Sequence, residues 1–144
     1  MFKKFLMLSL TILVALSLFV PTSALAASSS PNTGTITPYW TYIHTVYDWM
    51  GIDSSGKASM VSDMDTYSGS VTQVKMVNYL QRYQNSTWST VNSWSQTTSG
   101  TYGYWSNTYY VYSGYNYRLL TYFYAYNGST LVESTSLTSG TVYY

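Results

Sequence analysis

Asn127-Gly128 separates two runs in which apolar and polar residues alternate, Tyr115 to Tyr126 and Thr130 to Leu137. Both residues tolerate positive φ, so this dipeptide between alternating runs commits the end of the chain to a β-hairpin. In the first arm Tyr117, Leu119, Phe123 and Ala125 share one face, which is the better core face. Arg118, Leu120, Tyr122, Tyr124 and Tyr126 share the other. With a loop of either two or four residues, the register puts Glu133 opposite Tyr122 or Tyr124, on the aromatic outer face.

The same period of two runs upstream, broken by turn formers at nearly regular intervals. Strand candidates are Tyr39 to Met50, Lys57 to Met64, Val71 to Tyr83, Trp88 to Trp94 and Tyr102 to Ser113. Asp53-Ser54-Ser55-Gly56, Tyr67 to Ser70, Asn85-Ser86 and Gly114 supply the turns between them. In the longest candidate Val74, Met76 and Leu80 oppose Gln73, Lys75 and Gln81. Asn78 falls on the apolar side, where its amide needs partners or the strand must bulge. About seven strands in all predict one all-β domain over residues 39–144, an antiparallel β-sandwich of immunoglobulin- or fibronectin-like type. Trp88, Val91, Trp94, Leu119, Phe123, Met76 and Leu80 are its expected core.

The N-terminus carries a different message. Lys3 and Lys4 precede an apolar run from Phe5 to Val20, and Ala24-Leu25-Ala26 follows. This is the pattern of a secretory signal peptide over residues 1–26, with Ala27 the first mature residue. The run is short for a bilayer span and Pro21 follows at once, so no membrane insertion is expected after cleavage. Residues 27–38, rich in Ser, Pro and Gly, read as a flexible leader. Cysteine is absent, so neither a disulfide nor a thiolate site is possible, a leaning towards a Gram-positive secreted protein. After residue 26, Lys57, Lys75, Arg82 and Arg118 stand against Asp48, Asp53, Asp63, Asp65 and Glu133. With no basic patch, the chain lacks the electrostatic footprint of a nucleic-acid or anionic-membrane binder.

No catalytic, metal or cofactor constellation stands out. His44 is the only histidine, and its neighbours Thr45 and Asp48 form no triad spacing. Asp63 and Asp65 share a strand face and are the candidates for a calcium site or for the carboxylate pair of a glycan-acting hydrolase. A calcium ion needs six or more oxygens, though, and two carboxylates at a strand end are more simply solvated. Asn85-Ser86-Thr87 and Asn127-Gly128-Ser129 match the glycosylation pattern and read equally well as turns. A non-catalytic protein without cofactor or metal is the expectation.

Five segments, Leu80-Gln81-Arg82, Trp88-Ser89-Thr90-Val91, Gly114-Tyr115-Asn116-Tyr117-Arg118, Asn127-Gly128 and Glu133-Ser134-Thr135, carry a resemblance over about Met50 to Tyr144. The chain resembles small secreted proteins of Gram-positive spore-forming bacteria. That resemblance implies a signal peptide, one β-rich domain and no established activity.

The aromatic surplus is the feature left to carry function. The 18 tyrosines are more than a core of this size can bury. An exposed ladder of Tyr122, Tyr124 and Tyr126 with Arg118 and Glu133 is the candidate binding face, with Tyr102, Tyr104, Tyr110 and Tyr112 on a strand expected nearby. Flat apolar rings with hydroxyl rims suit stacking on sugars or packing on protein. Cross-strand tyrosine pairs that merely stabilise an outer sheet face are the plain alternative. Two functional readings follow. One is a secreted binding or adhesion module for a cell-wall glycan or another secreted protein, extracellular or loosely held at the wall. The other is an extracellular structural protein that associates with itself or a partner through sheet faces or edge strands.

Overall fold

Alternation resolves into strands throughout the computed structural model, which describes residues 34–35, 40–67 and 69–144. The elements are β1 (Gly34–Thr35), β2 (Ile43–Ile52), β3 (Lys57–Thr66), β4 (Gln73–Gln84), β5 (Thr87–Ser99), β6 (Tyr102–Tyr110), β7 (Asn116–Asn127), β8 (Thr130–Thr138) and β9 (Val142–Tyr143). The expected signal segment and most of the expected leader lie outside the described residues. The described piece of the leader is tied to the sheet: Gly34 pairs with Asp48 and Thr35 with Tyr47.

Local chemistry sets the turns. Between β2 and β3, Asp53 Oδ1 accepts the N–H of Ser55 at 2.8 Å and of Lys57 at 3.1 Å, while Gly56 takes φ 81. Between β4 and β5, Asn85 and Ser86 both adopt positive φ, 52 and 60. Two consecutive left-handed residues give the turn twist that matches a right-twisted hairpin.

The strands form two antiparallel sheets, ordered β1-β2-β3-β6 and β5-β4-β7-β8, with β9 pairing to β7. Across the interface β2 lies over β7 and β8, and β6 lies over β4 and β5. Three principal strands facing four, joined by connections that change sheet, make an immunoglobulin-like β-sandwich. Tyr117, at the start of β7, donates its hydroxyl to the carbonyl of Tyr112 at 2.8 Å. That bond pins the β6–β7 connection as a tyrosine corner, a feature of such sandwiches.

The core lies between the sheets. Val46, Met50, Met60 and Met64 come from one side, and Val74, Met76, Leu80, Leu119 and Phe123 from the other, all nearly inaccessible. Unbranched methionines suit the irregular gaps between twisted sheets. Trp105 is buried as well and packs on Trp94 at 5.5 Å between ring centroids. Next to them Gly103 lets the sheets close up, since an added Cβ there would lie 2.9 Å from Val74 Cγ2.

Asn78 is fully buried, and its amide oxygen has the partners burial demands. Ser62 and Thr121 both donate hydroxyls to Oδ1, at 2.7 and 2.8 Å. Asp48, paired with Ser62 across β2 and β3, completes a polar group inside the sandwich with zero exposure. Among the described residues no partner lies within full hydrogen-bond geometry of either carboxyl oxygen, though Ser62 and Thr121 are close by. Burial pushes its pKa to about 8, assisted by the charge of Asp63 and opposed by the nearby hydroxyls of Ser62 and Thr121. The side chain is therefore neutral over most of the acidic and neutral range.

Trp88 departs from expectation. It lies opposite Tyr83 on the outer face instead of in the core, while Trp94, opposite Asn78, points inward. The register slips between Leu80 and Gln81, leaving Val91 as the extra residue of a β-bulge between the two tryptophans. Regular alternation would give both the same phase, and the bulge reverses one of them.

Candidate functional site

The expected aromatic face belongs to the β5-β4-β7-β8 sheet. From β7, Arg118, Leu120, Tyr122, Tyr124 and Tyr126 lie on the side opposite the buried Tyr117, Leu119, Phe123 and Ala125. They pair laterally with Gln81, Tyr79, Val77, Lys75 and Gln73 of β4. Tyr79 meets Tyr122 edge to face at 5.9 Å, and Tyr83 packs on Trp88 at 5.1 Å. Arg118 is held flat: its guanidinium carbon lies 4.2 Å from the centre of the Trp88 ring, and its Nε donates to Gln81 Oε1 at 2.8 Å. Burial raises the Tyr124 pKa, and the neighbouring Tyr79, Tyr126 and Tyr122 add to the shift. Its hydroxyl thus remains a donor to higher pH than a free phenol.

Hydroxyl rows flank this platform. Ser93, Ser95 and Thr97 of β5 stand opposite Tyr79, Val77 and Lys75, while Ser134, Ser136 and Thr138 of β8 stand opposite Tyr124, Tyr122 and Leu120. Aromatic faces in the middle and hydroxyls at both margins form a surface that offers stacking and hydrogen bonds together.

Glu133 does not share this face. The hairpin begins in the expected register, Asn127 opposite Thr130 and Tyr126 opposite Leu131. A bulge at Val132 then sets Glu133 opposite Ala125 rather than Tyr124. The one-residue slip turns the carboxylate inward. There it bridges the sheets, accepting the N–H of Thr41 at 3.1 Å, Tyr42 at 2.8 Å and Ile43 at 2.7 Å. Partial burial would raise its pKa, but the three backbone donors outweigh that and hold it below the usual glutamate value. Glu133 is a clamp on the entry to β2.

Tyr102, Tyr104 and Tyr110 are also remote from the ladder. They lie on the outer face of the other sheet, opposite Asp65, Asp63 and Lys57 of β3. Asp65 Oδ2 is 3.4 Å from His44 Nδ1, both side chains about half exposed, and the His44 ring packs on Tyr67 at 5.0 Å. Asp63 has its pKa raised by partial burial and by the charge of Asp65. An exposed pair of this kind holds little energy. Among the described residues no three His, Cys, Asp or Glu side chains gather to hold a metal ion.

Sequence reasoning missed a cleft of about 300 Å³ between the sheets. It opens at the end of the β5/β6 pair remote from Gly103. Ser89 and Thr90 form one wall, Tyr109 and Tyr112 the other, and Arg82 and Tyr117 also line it. Arg82 pairs with the buried Tyr117 across β4 and β7, so its side chain lies on the inner side of the sheet. Its guanidinium carbon sits 4.5 Å from the centre of the Tyr115 ring, and one terminal nitrogen donates to Gln84 Oε1 at 2.7 Å. Among the described residues its buried Nε has no partner. The signal was present in the chain: Arg82 continues the apolar phase of Val74, Met76 and Leu80, where a cation is out of place.

Comparison with known proteins finds no matching family model, no matching curated protein and no matching solved structure.

Proposed function

We propose that the protein is a secreted, non-catalytic glycan-binding module that acts outside the cell or at its wall. The observation that carries this reading is the outer face of the β5-β4-β7-β8 sheet. It has Tyr79, Tyr83, Trp88, Tyr122 and Tyr124 in its middle and serine and threonine rows at its margins. Sugar rings present apolar C–H faces and a hydroxyl perimeter, and such a surface answers both. The arrangement of residues 1–26 as a signal peptide supports export.

The test is co-sedimentation of the mature chain, residues 27–144, with insoluble cell wall, cellulose, chitin and starch. Binding to one polymer, competed by its soluble fragments and reduced about tenfold or more in the Tyr122→Ala/Tyr124→Ala double variant, is the expected result. Retention by none of them, or binding that survives the double variant, overturns it.

A second reading, association between copies, draws on the distribution of charge. Asp63 and Asp65 outnumber Lys57 on one outer face, and Lys75 and Arg118 lie on the other. Faces of opposite sign attract when two copies stack. Light scattering across a wide concentration range separates the readings, because a strict monomer leaves only the first.

A further inference from the structure

We infer that the cleft between β5 and β6 is a binding site for a single carboxylate-bearing sugar ring, with Arg82 as the receptor for the carboxylate. The inference rests on the glycan reading above and gives it a substrate class: acidic polysaccharide, its uronate units entering the cleft.

The charge of the site is the first argument. Arg82 is partly buried, and a guanidinium donor taken out of water needs an acceptor. Among the described residues Arg82 donates to Gln84 Oε1, has a tyrosine ring beneath it and lies close to the Tyr117 hydroxyl. Among the described residues no carboxylate lies within ion-pair distance of it, the one such pair being His44 with Asp65. The remaining acids lie elsewhere, Asp63 on the outer face of the other sheet. Glu133 clamps the start of β2, Asp53 caps its turn, and Asp48 is sealed in the core. None of them lines the cleft. The buried Nε of Arg82, without a partner among the described residues, therefore calls for an acceptor from outside, and the positive charge of the group favours an anion. A planar fork of N–H groups matches a carboxylate in two-point geometry, which a point cation does not.

Size and polarity narrow the choice. A cavity of about 300 Å³ lies at the small end of ligand sites and takes one ring, not an extended chain. Tyr109 and Tyr112 line one wall, and Ser89, opposite the inward Arg82, brings a hydroxyl to the other. Tyr117 donates its proton to the Tyr112 carbonyl, and its oxygen lies beside the Arg82 guanidinium, which opposes the rise in its pKa that burial causes. One carboxylate, one ring and several hydroxyls describe a uronic acid residue. Ser89 and Thr90 are exposed at the mouth, which leaves room for the rest of a polymer to run outside.

The scaffold keeps the cleft formed without a ligand. The bulge at Val91 redirects β5 beside it, and the Tyr117–Tyr112 bond fixes the opposite corner. Preorganisation of this kind spares a ligand the cost of ordering the site.

The experiment is calorimetric titration of residues 27–144 with galacturonate and glucuronate oligosaccharides. Neutral oligosaccharides of the same linkage, acetate and N-acetylglycine serve as separate arms. Uronate oligosaccharides should bind, with affinity falling as salt rises. Neutral analogues should be weaker by roughly tenfold or more, as expected when a charge-assisted pair is lost. Arg82→Gln should remove that preference and Arg82→Lys restore part of it. Ser89→Trp, at an exposed position on the mouth, should block binding while leaving Arg82 in place. Should Arg82→Gln fail to fold, the Ser89→Trp result decides. Equal affinity for neutral and acidic sugars, unchanged binding in Ser89→Trp, or N-acetylglycine binding as tightly as the oligosaccharide each overturns the inference. The two sites are read apart by cross-testing. If the Tyr122→Ala/Tyr124→Ala variant loses wall binding yet still binds uronate, the cleft stands on its own. Wall binding that persists in Arg82→Gln, with no uronate bound by the native chain, removes the cleft and leaves the outer-face reading intact.

Discussion

Two tryptophans six positions apart in one strand do different work. Trp94 faces the interior and packs against the buried Trp105, whereas Trp88 lies outside, a half-buried ring beneath the Arg118 guanidinium. Removing a large buried aromatic side chain costs about 3–5 kcal/mol, through lost transfer energy and the cavity left behind. Trp105→Ala should therefore lower stability by that amount. Trp88→Ala forfeits a partly exposed ring and one cation–π contact of roughly 0.5–1 kcal/mol, so its cost should be much smaller. Urea denaturation of the two variants checks this, and equal midpoints would reject the placement of Trp105 and Trp88. At this scale much was readable. The alternation of β7 separates Tyr117, Leu119, Phe123 and Ala125 from Arg118, Tyr122 and Tyr124 correctly. Asn78 announces itself as a polar residue in an apolar phase. Asp48, between Val46 and Met50, and Arg82, beyond Leu80, carry the same mark and became visible as interior residues only in the fold.

Among the elements, the edge strands set the limits of pattern reading. β5 carries a bulge at Val91 and β8 one at Val132, and each reverses the phase of the residues beyond it. Trp88 and Glu133, the residues whose faces local spacing assigns wrongly, are both consequences. The bulges also twist the two edges of the larger sheet away from flat pairing with another strand. This favours the faces over these edges as the surfaces available to partners. The β4–β5 hairpin is a simpler case, because its two turn residues declare themselves in the sequence. Ser86 holds φ 60, a conformation that strains an L-residue with a Cβ and that glycine adopts freely. Its side chain is exposed, so Ser86→Gly, which creates the preferred Asn-Gly turn, should raise stability by roughly 0.5–1 kcal/mol. Thermal denaturation is the check, and a lower Tm in the variant would count against the turn geometry.

For the whole molecule, two carboxylates shape the response to pH with opposite sign. Asp48 has its pKa raised from 3.8 to about 8, chiefly by burial. Its contribution to stability is complete below about pH 4 and is lost progressively as pH rises to about 8, since the unfolded chain ionises first. A shift of that size corresponds to on the order of 5 kcal/mol. Glu133 has its pKa lowered, so its contribution is present above its ordinary value and lost as pH falls through the folded one. The fold should accordingly be most stable in weak acid and weaken from about pH 5 to pH 8. Asp48→Asn should flatten that decline and exceed the native chain in urea midpoint at pH 8. A native midpoint that rises between pH 5 and pH 8 would contradict the buried, neutral state of Asp48. The all-β class, the position of most turns and the apolar face of the central strands are legible in the residue pattern. Those follow from a period of two and from turn residues, which act over a few positions. Where the edge strands bulge, which polar groups meet inside the sandwich and that a cleft opens beside Arg82 emerge only on folding. Each depends on partners far apart in the chain: Glu133 turns inward onto backbone N–H groups about ninety residues away, and Ser62 reaches the paired Asn78 and Thr121 only when the two sheets stack. Spacing along a strand holds no record of contacts made across one.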